Sequence, residues 1–204
     1  SSDEIGRTAG LRAVERLNPR RPATGSYPVI YDERISSGLV GHFLSAINGA
    51  AITRGSSWLK DSLGKQVLPS TCKLVENPHR LRAGASRLFD SEGLATKKRE
   101  IVSKGVLNGW TLDLASARKL GMKPTANASR NVSSNPSPTN WNIELSSPED
   151  YCDNLLSEMG NGLLVTSLIG STINPNTGDY SRGVSGFWVE NGQIGYPVSE
   201  ITIA

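Results

Sequence analysis

The stretch Tyr27–Arg54, YPVIYDERISSGLVGHFLSAINGAAITR, predicts a short strand that runs directly into a helix. Tyr27–Tyr31 is rich in β-branched and aromatic residues, which favour a strand, and Asp32 ends it. From Ile35 to Ala50 the residues of one apolar face recur every three or four positions, which predicts a single helix over this stretch. His42 falls on that apolar face. A strand that leads into a helix with a histidine is where a metallopeptidase site could lie, so His42 is either a metal ligand or a packed residue.

The overall composition is that of a globular protein. The chain has 204 residues, of which 37% are hydrophobic and 20% are charged. No apolar run approaches the roughly 18 residues that a membrane-spanning helix requires. The first ten residues, SSDEIGRTAG, contain no apolar segment of the kind found in secretory signals, which predicts a cytoplasmic protein.

The charge pattern does not favour direct nucleic-acid binding. The formal net charge of +3 arises from 22 basic and 19 acidic residues that are largely interleaved, whereas nucleic-acid binders usually concentrate their basic residues on one face. The densest basic group is Lys97, Lys98 and Arg99, followed by Lys104, in a predicted hairpin. It is interpreted as a solvated strand face, with a phosphate-binding patch as the alternative.

The remaining elements are read from periodicity, caps and turn residues. Helices are predicted from a cap at Ser2 or Asp3 to Leu17, at Leu114–Leu120 with Asp113 as cap and Gly121 as stop, and from Ser147 to Met159, with one further turn at Ser56–Leu63. Strands are predicted at Cys72–Glu76, Trp141–Leu145 and Leu163–Ile169, as a hairpin of Thr96–Val102 and Val106–Leu112 with Lys104-Gly105 at its turn, and as a hairpin across Asn191-Gly192. The fold class is therefore α+β, with mostly antiparallel sheets built from hairpins and several interspersed helices.

Two segments lack clear periodicity. Pro78–Gly93 is a long loop, which is either functional or disordered. Pro124–Asn140 is rich in Asn, Ser and Pro and forms either a linker or an ordered surface loop.

The common catalytic motifs are missing. The sequence has no Walker loop, dinucleotide fingerprint or nucleophile elbow, and Cys72 and Cys152 form no C-x-x-C pair. A catalytic zinc needs three protein ligands, and the predicted helix offers only His42. These tests alone leave an α+β protein without a recognisable active site.

Short motifs are nevertheless spread in a fixed order along almost the whole chain. They are Ser37–His42 (SGLVGH), Ser45–Ala51 (SAINGAA), Ser86-Arg87 with Phe89-Asp90 and Glu92-Gly93, Pro136–Asn140 (PSPTN), Asn174-Pro175, Gly178–Gly183 (GDYSRG), Gly186–Gly192 (GFWVENG) and Pro197–Glu200 (PVSE). In order and spacing they resemble the C-terminal domain of the TldE/PmbA family, also called modulator of DNA gyrase. The resemblance implies that residues 1–204 form this domain, with an N-terminal domain and the extreme C-terminus absent.

The resemblance also implies a degenerate zinc site. The related TldD subunit carries an H-E-x-x-x-H helix whose two histidines, with a distant cysteine, hold zinc, while the glutamate serves as general base. The corresponding positions here are Ser37, Gly38 and His42, and neither cysteine lies in the C-terminal hairpin region where the third ligand is expected. The resemblance therefore implies no catalytic residue, no metal ligand set and no cofactor in this chain, with zinc expected in the partner.

Three functions follow from the resemblance. The first is a non-catalytic TldE-type subunit of a heterodimeric, cytoplasmic zinc peptidase that degrades or matures small or unfolded peptides. In it, Arg130, Asn140 and Arg182 are candidates for lining the peptide cleft, with a purely structural role in their loops as the alternative for each, and an exposed strand edge could pair with an extended peptide. The second keeps His42 as one ligand of a shared metal site. The third is a protein-binding modulator, related to gyrase or to toxin and antitoxin systems, without a peptidase role.

Overall fold

The computed structural model describes residues 1–147, 152–170 and 173–204, and these residues group into two compact units. The first unit comprises Ser1–Leu39, Tyr151–Ile173 and Asp179–Ala204, and the second comprises Val40–Asp150 and Asn174–Gly178. The described helices are α1 (Ser2–Val14), α2 (Glu33–Ala46), α3 (Gly49–Arg54), α4 (Leu114–Leu120) and α5 (Cys152–Met159). The described strands are β1 (Val29–Tyr31), β2 (Lys73–Glu76), β3 (Arg99–Ser103), β4 (Val106–Leu107), β5 (Ala128–Ser129), β6 (Ser137–Pro138), β7 (Ile143–Ser146), β8 (Gly162–Ile169), β9 (Arg182–Glu190) and β10 (Gln193–Ile203). The predicted α+β class is confirmed.

The first unit is built on a four-stranded sheet in the order β1-β8-β9-β10. The predicted hairpin across Asn191-Gly192 is confirmed as the β9–β10 pair, because both turn residues adopt the positive φ that a tight hairpin turn requires. β1 pairs with β8 in parallel, with Val29 opposite Leu163. This pair is not a hairpin, because its two strands run in the same direction and are far apart in sequence.

The core of the first unit is small and aliphatic. Leu163, Val165, Val184 and Val198 are at most 4% exposed, and Tyr31 and Ile35 pack against them. The predicted strand at Leu163–Ile169 is confirmed, although its last residue, Ile169, is 63% exposed. The apolar residues at the start of the opening stretch thus anchor the beginning of α2 on this sheet.

The N-terminal helix differs from its prediction. α1 is capped by Ser1, whose hydroxyl accepts a hydrogen bond from the Glu4 backbone in a capping box, and the helix ends at Val14 instead of Leu17. None of its residues is buried, and Ile5 is 73% exposed. Capping and propensity, not burial, therefore set the limits of α1.

The second unit is built on a sheet in the order β4-β3-β2-β7 and a separate two-stranded β5-β6 sheet. Lys104 and Gly105 form the predicted β3–β4 turn, both with positive φ. The core against the main sheet includes Ile47, Leu74, Val102, Leu107 and Leu112, each at most 1% exposed. α4 has the predicted cap, Asp113, whose carboxylate accepts from the Ser116 backbone, and the predicted αL stop at Gly121.

The prediction of one continuous helix through Ala50 is wrong. α2 ends at Ala46, and Asn48 adopts an extended conformation that caps α3, with its side chain accepting from the Ala50 backbone N–H at 3.0 Å. The Asn48 Nδ2 group also donates to the Pro138 carbonyl at 2.9 Å. The side chain of Asn48 thus caps the start of α3 and binds a carbonyl of β6, and both bonds favour the extended backbone at Asn48 over continuation of α2.

The two segments without periodicity are ordered, and one predicted helical turn is not formed. Pro124–Asn140 contains β5 and β6 and is an ordered surface loop, not a linker. Ser56–Leu63 consists of turns instead of a helix, with the Trp58 backbone N–H bonded to the Pro175 carbonyl at 2.9 Å. The predicted start of the helix that ends at Met159, residues 148–151, lies outside the described residues.

The basic group in the hairpin is split by the structure. Lys97, Lys98 and Lys104 are exposed, as predicted for a solvated face. Arg99 is the exception, because its side chain is only 18% exposed and pairs with the buried carboxylate of Glu76. Among the described residues, no helix is long and apolar enough to cross a membrane.

Candidate functional site

α2 is the helix that carries Ser37, Gly38 and His42, the positions that correspond to the H-E-x-x-x-H pattern. Ser37 is exposed, and Gly38 and His42 are half-buried. A Cβ atom added at Gly38 would meet nothing within 4 Å outside the helix itself. The position therefore has room for a Cβ atom, and contacts next to the backbone do not require glycine there.

The side chains of α2 do not fit the zinc ligand set that the H-E-x-x-x-H pattern requires. A hydroxyl stands in place of the first imidazole, a hydrogen in place of the carboxylate, and His42 supplies the only nitrogen ligand. Among the described residues, no three His, Cys, Asp or Glu side chains are grouped closely enough to hold a metal ion. Cys72 is a half-buried free thiol in the second unit.

The open surroundings of Gly38 give a stability prediction. Gly38→Ala is expected to raise the free energy of unfolding by about 0.5–1 kcal/mol, because alanine loses less backbone entropy than glycine in a helix interior. Urea unfolding monitored by circular dichroism measures the change. Gly49→Ala is the matched control and is expected to destabilise, since its Cβ would lie 2.7 Å from Leu112 Cδ2 and 2.8 Å from the Thr111 carbonyl oxygen. Equal changes in the free energy of unfolding for the two variants would contradict the conclusion that Gly38 has room for a Cβ atom and Gly49 does not.

Asn140, one of the predicted cleft residues, belongs to a buried polar network in the second unit. Its Nδ2 group donates to Glu76 Oε1 at 3.2 Å and to Thr111 Oγ1 at 2.9 Å. The same Glu76 oxygen accepts from Asn127 Nδ2 at 2.9 Å and from the Trp141 backbone N–H at 2.7 Å. Asn140 is half-buried, and its amide joins the PSPTN segment to the main sheet.

Arg99 completes this network from the other side. Its Nε donates to Glu76 Oε2 at 2.5 Å, and its two Nη groups donate to the Trp110 carbonyl at 2.9 Å and to Thr111 Oγ1 at 3.0 Å. Glu76 is 1% exposed. A carboxylate this deeply buried is stable only when it is paired and hydrogen-bonded, and Arg99 together with the amide and backbone donors meets both conditions.

Arg182, the second predicted cleft residue, lies at the start of β9 in the first unit. Its Nε is buried and has no hydrogen-bond partner within the described part of the chain. Two tyrosines, Tyr31 and Tyr180, are its neighbours. Burial raises the pKa of the Tyr31 hydroxyl above its usual range, the nearby Tyr180 hydroxyl adds to the rise, and the positive charge of Arg182 opposes it. The GDYSRG motif thus places a guanidinium beside two phenol groups.

Arg130, the third candidate, is exposed at the end of β5. It belongs to the second unit together with Asn140, whereas Arg182 belongs to the first. Arg130 takes no part in the hydrogen bonds around Glu76 described above.

A surface cavity of about 500 Å³ lies in the first unit, and none of the predicted site residues lines it. Leu164, Phe187 and Ile194 form its apolar part. Two of its arginines are already engaged: Arg34 forms a bidentate pair with Asp32, at 2.6 and 2.9 Å, and Arg16 donates to Thr166 Oγ1 at 3.2 Å. The Arg34 guanidinium holds the pKa of Asp32 below its usual range.

Sequence reasoning missed the residues that organise the second unit: Glu76, Arg99 and Asn127. Glu76 ends a strand whose alternation is ordinary, and nothing near it in the sequence indicates that its charge is buried. The sequence feature closest to this network is the PSPTN motif at residues 136–140. In the structure, the backbone N–H of its Thr139 donates to the Asn127 carbonyl at 2.7 Å. The motif marks a structural junction.

The comparisons with known proteins agree on one family. The protein-family model described as the PmbA/TldA metallopeptidase C-terminal domain matches residues 24–204. Metalloprotease PmbA of Escherichia coli O157:H7 is 46% identical over 200 residues, which cover 98% of this chain and 42% of that protein. A Metalloprotease PmbA homolog of Haemophilus influenzae is also 46% identical, over 98% of this chain and 43% of its own length. The chain spans less than half the length of these relatives.

Solved structures show the same fold. A protein of Bacteroides thetaiotaomicron described as a modulator of DNA gyrase superposes with a TM-score of 0.86 at 32% identity, covering 97% of this chain and 43% of that one. TldE of Thermococcus kodakarensis superposes with a TM-score of 0.85 at 20% identity, over 99% of this chain and 46% of that one, which supports the fold alone. The chain therefore belongs to the PmbA/TldD family of metallopeptidases and matches its C-terminal domain.

Proposed function

We propose that the protein is the non-catalytic, TldE-type subunit of a heterodimeric zinc peptidase that degrades or matures small or unfolded peptides in the cytoplasm. The observation that carries this proposal is the open position at Gly38. A Cβ at this position would meet no atom within 4 Å outside the helix itself, so crowding next to the backbone does not account for the absence of the general-base side chain. Ser37 likewise replaces the first imidazole with a hydroxyl, so the departure affects the two positions on which the chemistry depends.

The zinc of this assembly is assigned to a TldD-type partner. When bound there, zinc would polarise the peptide carbonyl and lower the pKa of the attacking water. This chain contributes shape and positioning. Residues 1–204 act as one TldE/PmbA-type domain of a longer protein.

Arg182 is the strongest of the three candidates for contacting the peptide. Its buried Nε lacks a partner among the described residues, and an unpaired guanidinium N–H is costly unless a ligand or water accepts from it. A carboxylate or carbonyl oxygen of a peptide has the matching chemistry. Arg130 remains a candidate because it is exposed. Asn140 would act through the Glu76 network.

The alternative is a protein-binding modulator without a peptidase role. The names of two structural relatives, from Bacteroides thetaiotaomicron and Thermotoga maritima, favour it, since both are described as modulators of DNA gyrase.

One mixing experiment separates the two functions. The full-length protein, its TldD-type partner and their equimolar mixture are incubated with an unstructured peptide, and cleavage is followed by mass spectrometry. The peptidase-subunit proposal predicts no cleavage by this protein alone and a rate for the mixture well above that of the partner alone. A partner whose rate is the same with and without this protein would favour the modulator.

A further inference from the structure

The loop at Pro78–Gly93 exposes an unusual amount of apolar side chain. Leu81 is 90% exposed, Leu88 74% and Phe89 66%. Scattered exposed apolar residues are normal, but three large ones within nine residues of a single loop are a concentration of apolar surface of the kind that marks an interaction site.

The loop is held in one conformation by its own hydrogen bonds. The Arg87 backbone N–H donates to the Pro78 carbonyl at 2.9 Å, and the Ser86 hydroxyl donates to the Arg80 carbonyl. The Ser86 hydroxyl also accepts from Asn142 Nδ2 at 2.8 Å, which ties the loop to the chain just before β7. The two arms that carry Leu81 and Leu88 are therefore joined, and their exposure is not the result of a loose segment.

A second pair of contacts fixes the arm that carries Leu88. The Thr96 hydroxyl donates to the Arg87 carbonyl at 2.6 Å. Since that uses its only proton, the 3.1 Å contact between His79 Nε2 and Thr96 Oγ1 has the histidine as donor. A surface that is already rigid loses little entropy when a partner binds to it.

Arg82 occupies the tip of this loop with a φ of 56°, in the left-handed region that favours glycine. An exposed arginine at such a position is strained in the isolated chain. Glycine there would be easier to accommodate, so the presence of a long cationic side chain points to a role outside the fold.

The charge that the segment presents to solvent is positive. Residues 78–98 contain five basic residues and two acidic ones. Both acids are used internally: Asp90 accepts from the backbone N–H groups of Glu92, Leu94 and Ala128, and Glu92 accepts from that of Leu114. Arg80, Arg82 and Arg87 are all exposed, although Arg87 also lies 4.2 Å from the centroid of the Trp141 ring. We call the three arginines with Leu81, Leu88 and Phe89 the basic–apolar patch.

We infer that the basic–apolar patch binds an acidic surface with apolar pockets on the TldD-type partner, an inference that rests on the proposed function. Charge complementarity favours such a partner over a second copy of this chain, because two basic patches would repel each other. Arg and aromatic residues are also the types that dominate binding energy in protein interfaces. Nucleic acid is disfavoured, because phosphate contacts would leave three large apolar side chains in water.

The test measures binding of the full-length protein to its full-length TldD-type partner by surface plasmon resonance. Leu88→Ser/Phe89→Ser is expected to raise Kd by about 100-fold, as for interface hot spots, with an unchanged Tm because both side chains are exposed. Arg82→Gly is expected to raise Kd by about tenfold while Tm stays equal or rises. Arg80→Glu/Arg82→Glu is expected to slow association and to remove most of its salt dependence.

Matched controls lie outside the patch. Ile194→Ser removes an apolar side chain that is 53% exposed, and Lys123→Glu reverses an exposed charge; both are expected to leave Kd within about twofold. Wild-type affinity in the Leu88→Ser/Phe89→Ser variant would overturn the inference and leave the proposed function standing. No binding between the wild-type proteins would overturn both. Binding of duplex DNA that the Arg80→Glu/Arg82→Glu variant loses, with partner binding intact, would assign the patch to nucleic acid instead.

Discussion

Glu76→Ala is expected to lower the free energy of unfolding by about 3–5 kcal/mol, among the largest effects of any side-chain truncation in the second unit. The carboxylate is 1% exposed and accepts hydrogen bonds from the side chains of Arg99, Asn127 and Asn140 and from the Trp141 backbone. Its removal leaves a guanidinium charge in a largely buried position without a counter-ion. Removing one member of a buried pair costs more than the pair contributes, since the remaining charge is no longer compensated.

Urea unfolding of the wild type and of Glu76→Ala measures this effect. The neighbouring cross-strand pair of Lys73 and Glu100 is the matched control, because it joins the same two strands, β2 and β3, at 2.5 Å but is about 45% exposed on both sides. Glu100→Ala is expected to change the unfolding midpoint little, since water solvates Lys73 when its partner is removed. Similar losses for the two variants would show that the burial of the Glu76 pair does not determine its effect on stability, which would contradict the prediction.

Gly186→Ala is expected to destabilise the first unit by about 3 kcal/mol or more, the upper part of the range for overpacking. A Cβ at this position would overlap the Leu164 carbonyl oxygen and lie 2.9 Å from its carbon and 3.0 Å from Val165 Cα. These are backbone atoms of β8, an interior strand of the sheet, so no side-chain rotation can relieve the overlap.

Gly183→Ala on the same strand is the control for Gly186→Ala. Its Cβ would lie 3.4 Å from the nearest atom, the Ile169 carbonyl oxygen, and is expected to be tolerated with a small loss. Thermal unfolding of both variants, followed by circular dichroism, compares them. A Gly186→Ala protein as stable as Gly183→Ala would contradict the close approach of β8 and β9 at this point.

Local chemistry made much of the fold predictable. Asp113 and Gly121 delimit α4 as their cap and αL preferences require, and Asn191-Gly192 forms the turn between β9 and β10. These signals act within a few residues and do not depend on the rest of the chain. The sequence also contains a signal for the break after α2, because asparagine is a favoured cap residue and Asn48 precedes a glycine, but the apolar spacing through Ala50 points the other way.

The parts that could not be predicted depend on contacts distant in sequence. The parallel pairing of Val29 with Leu163 joins strands that no turn connects, and no local pattern specifies it. The structural role of Asn140 is unpredictable for the same reason: its partners, Glu76 and Thr111, come from two other segments of the second unit. A motif that resembles a family pattern can thus encode packing instead of substrate contact.

α2 shows both what the sequence can predict and what it cannot. The identities at positions 37, 38 and 42 follow from sequence alone, and the resemblance explains what they replace. Only the structure shows that a Cβ at Gly38 would meet no neighbouring atom, so that contacts next to the backbone do not require glycine at this position.

The most direct test of the central claim is the peptidase activity of the full-length protein in isolation with zinc added, measured on an unstructured peptide as in the mixing experiment. A helix with Ser37 and Gly38 in place of an imidazole and a general base predicts no turnover above the buffer rate, and activity only when the TldD-type partner is added. Zinc-dependent turnover by the isolated protein, abolished by a chelator and by His42→Ala, would contradict the assignment of a non-catalytic subunit.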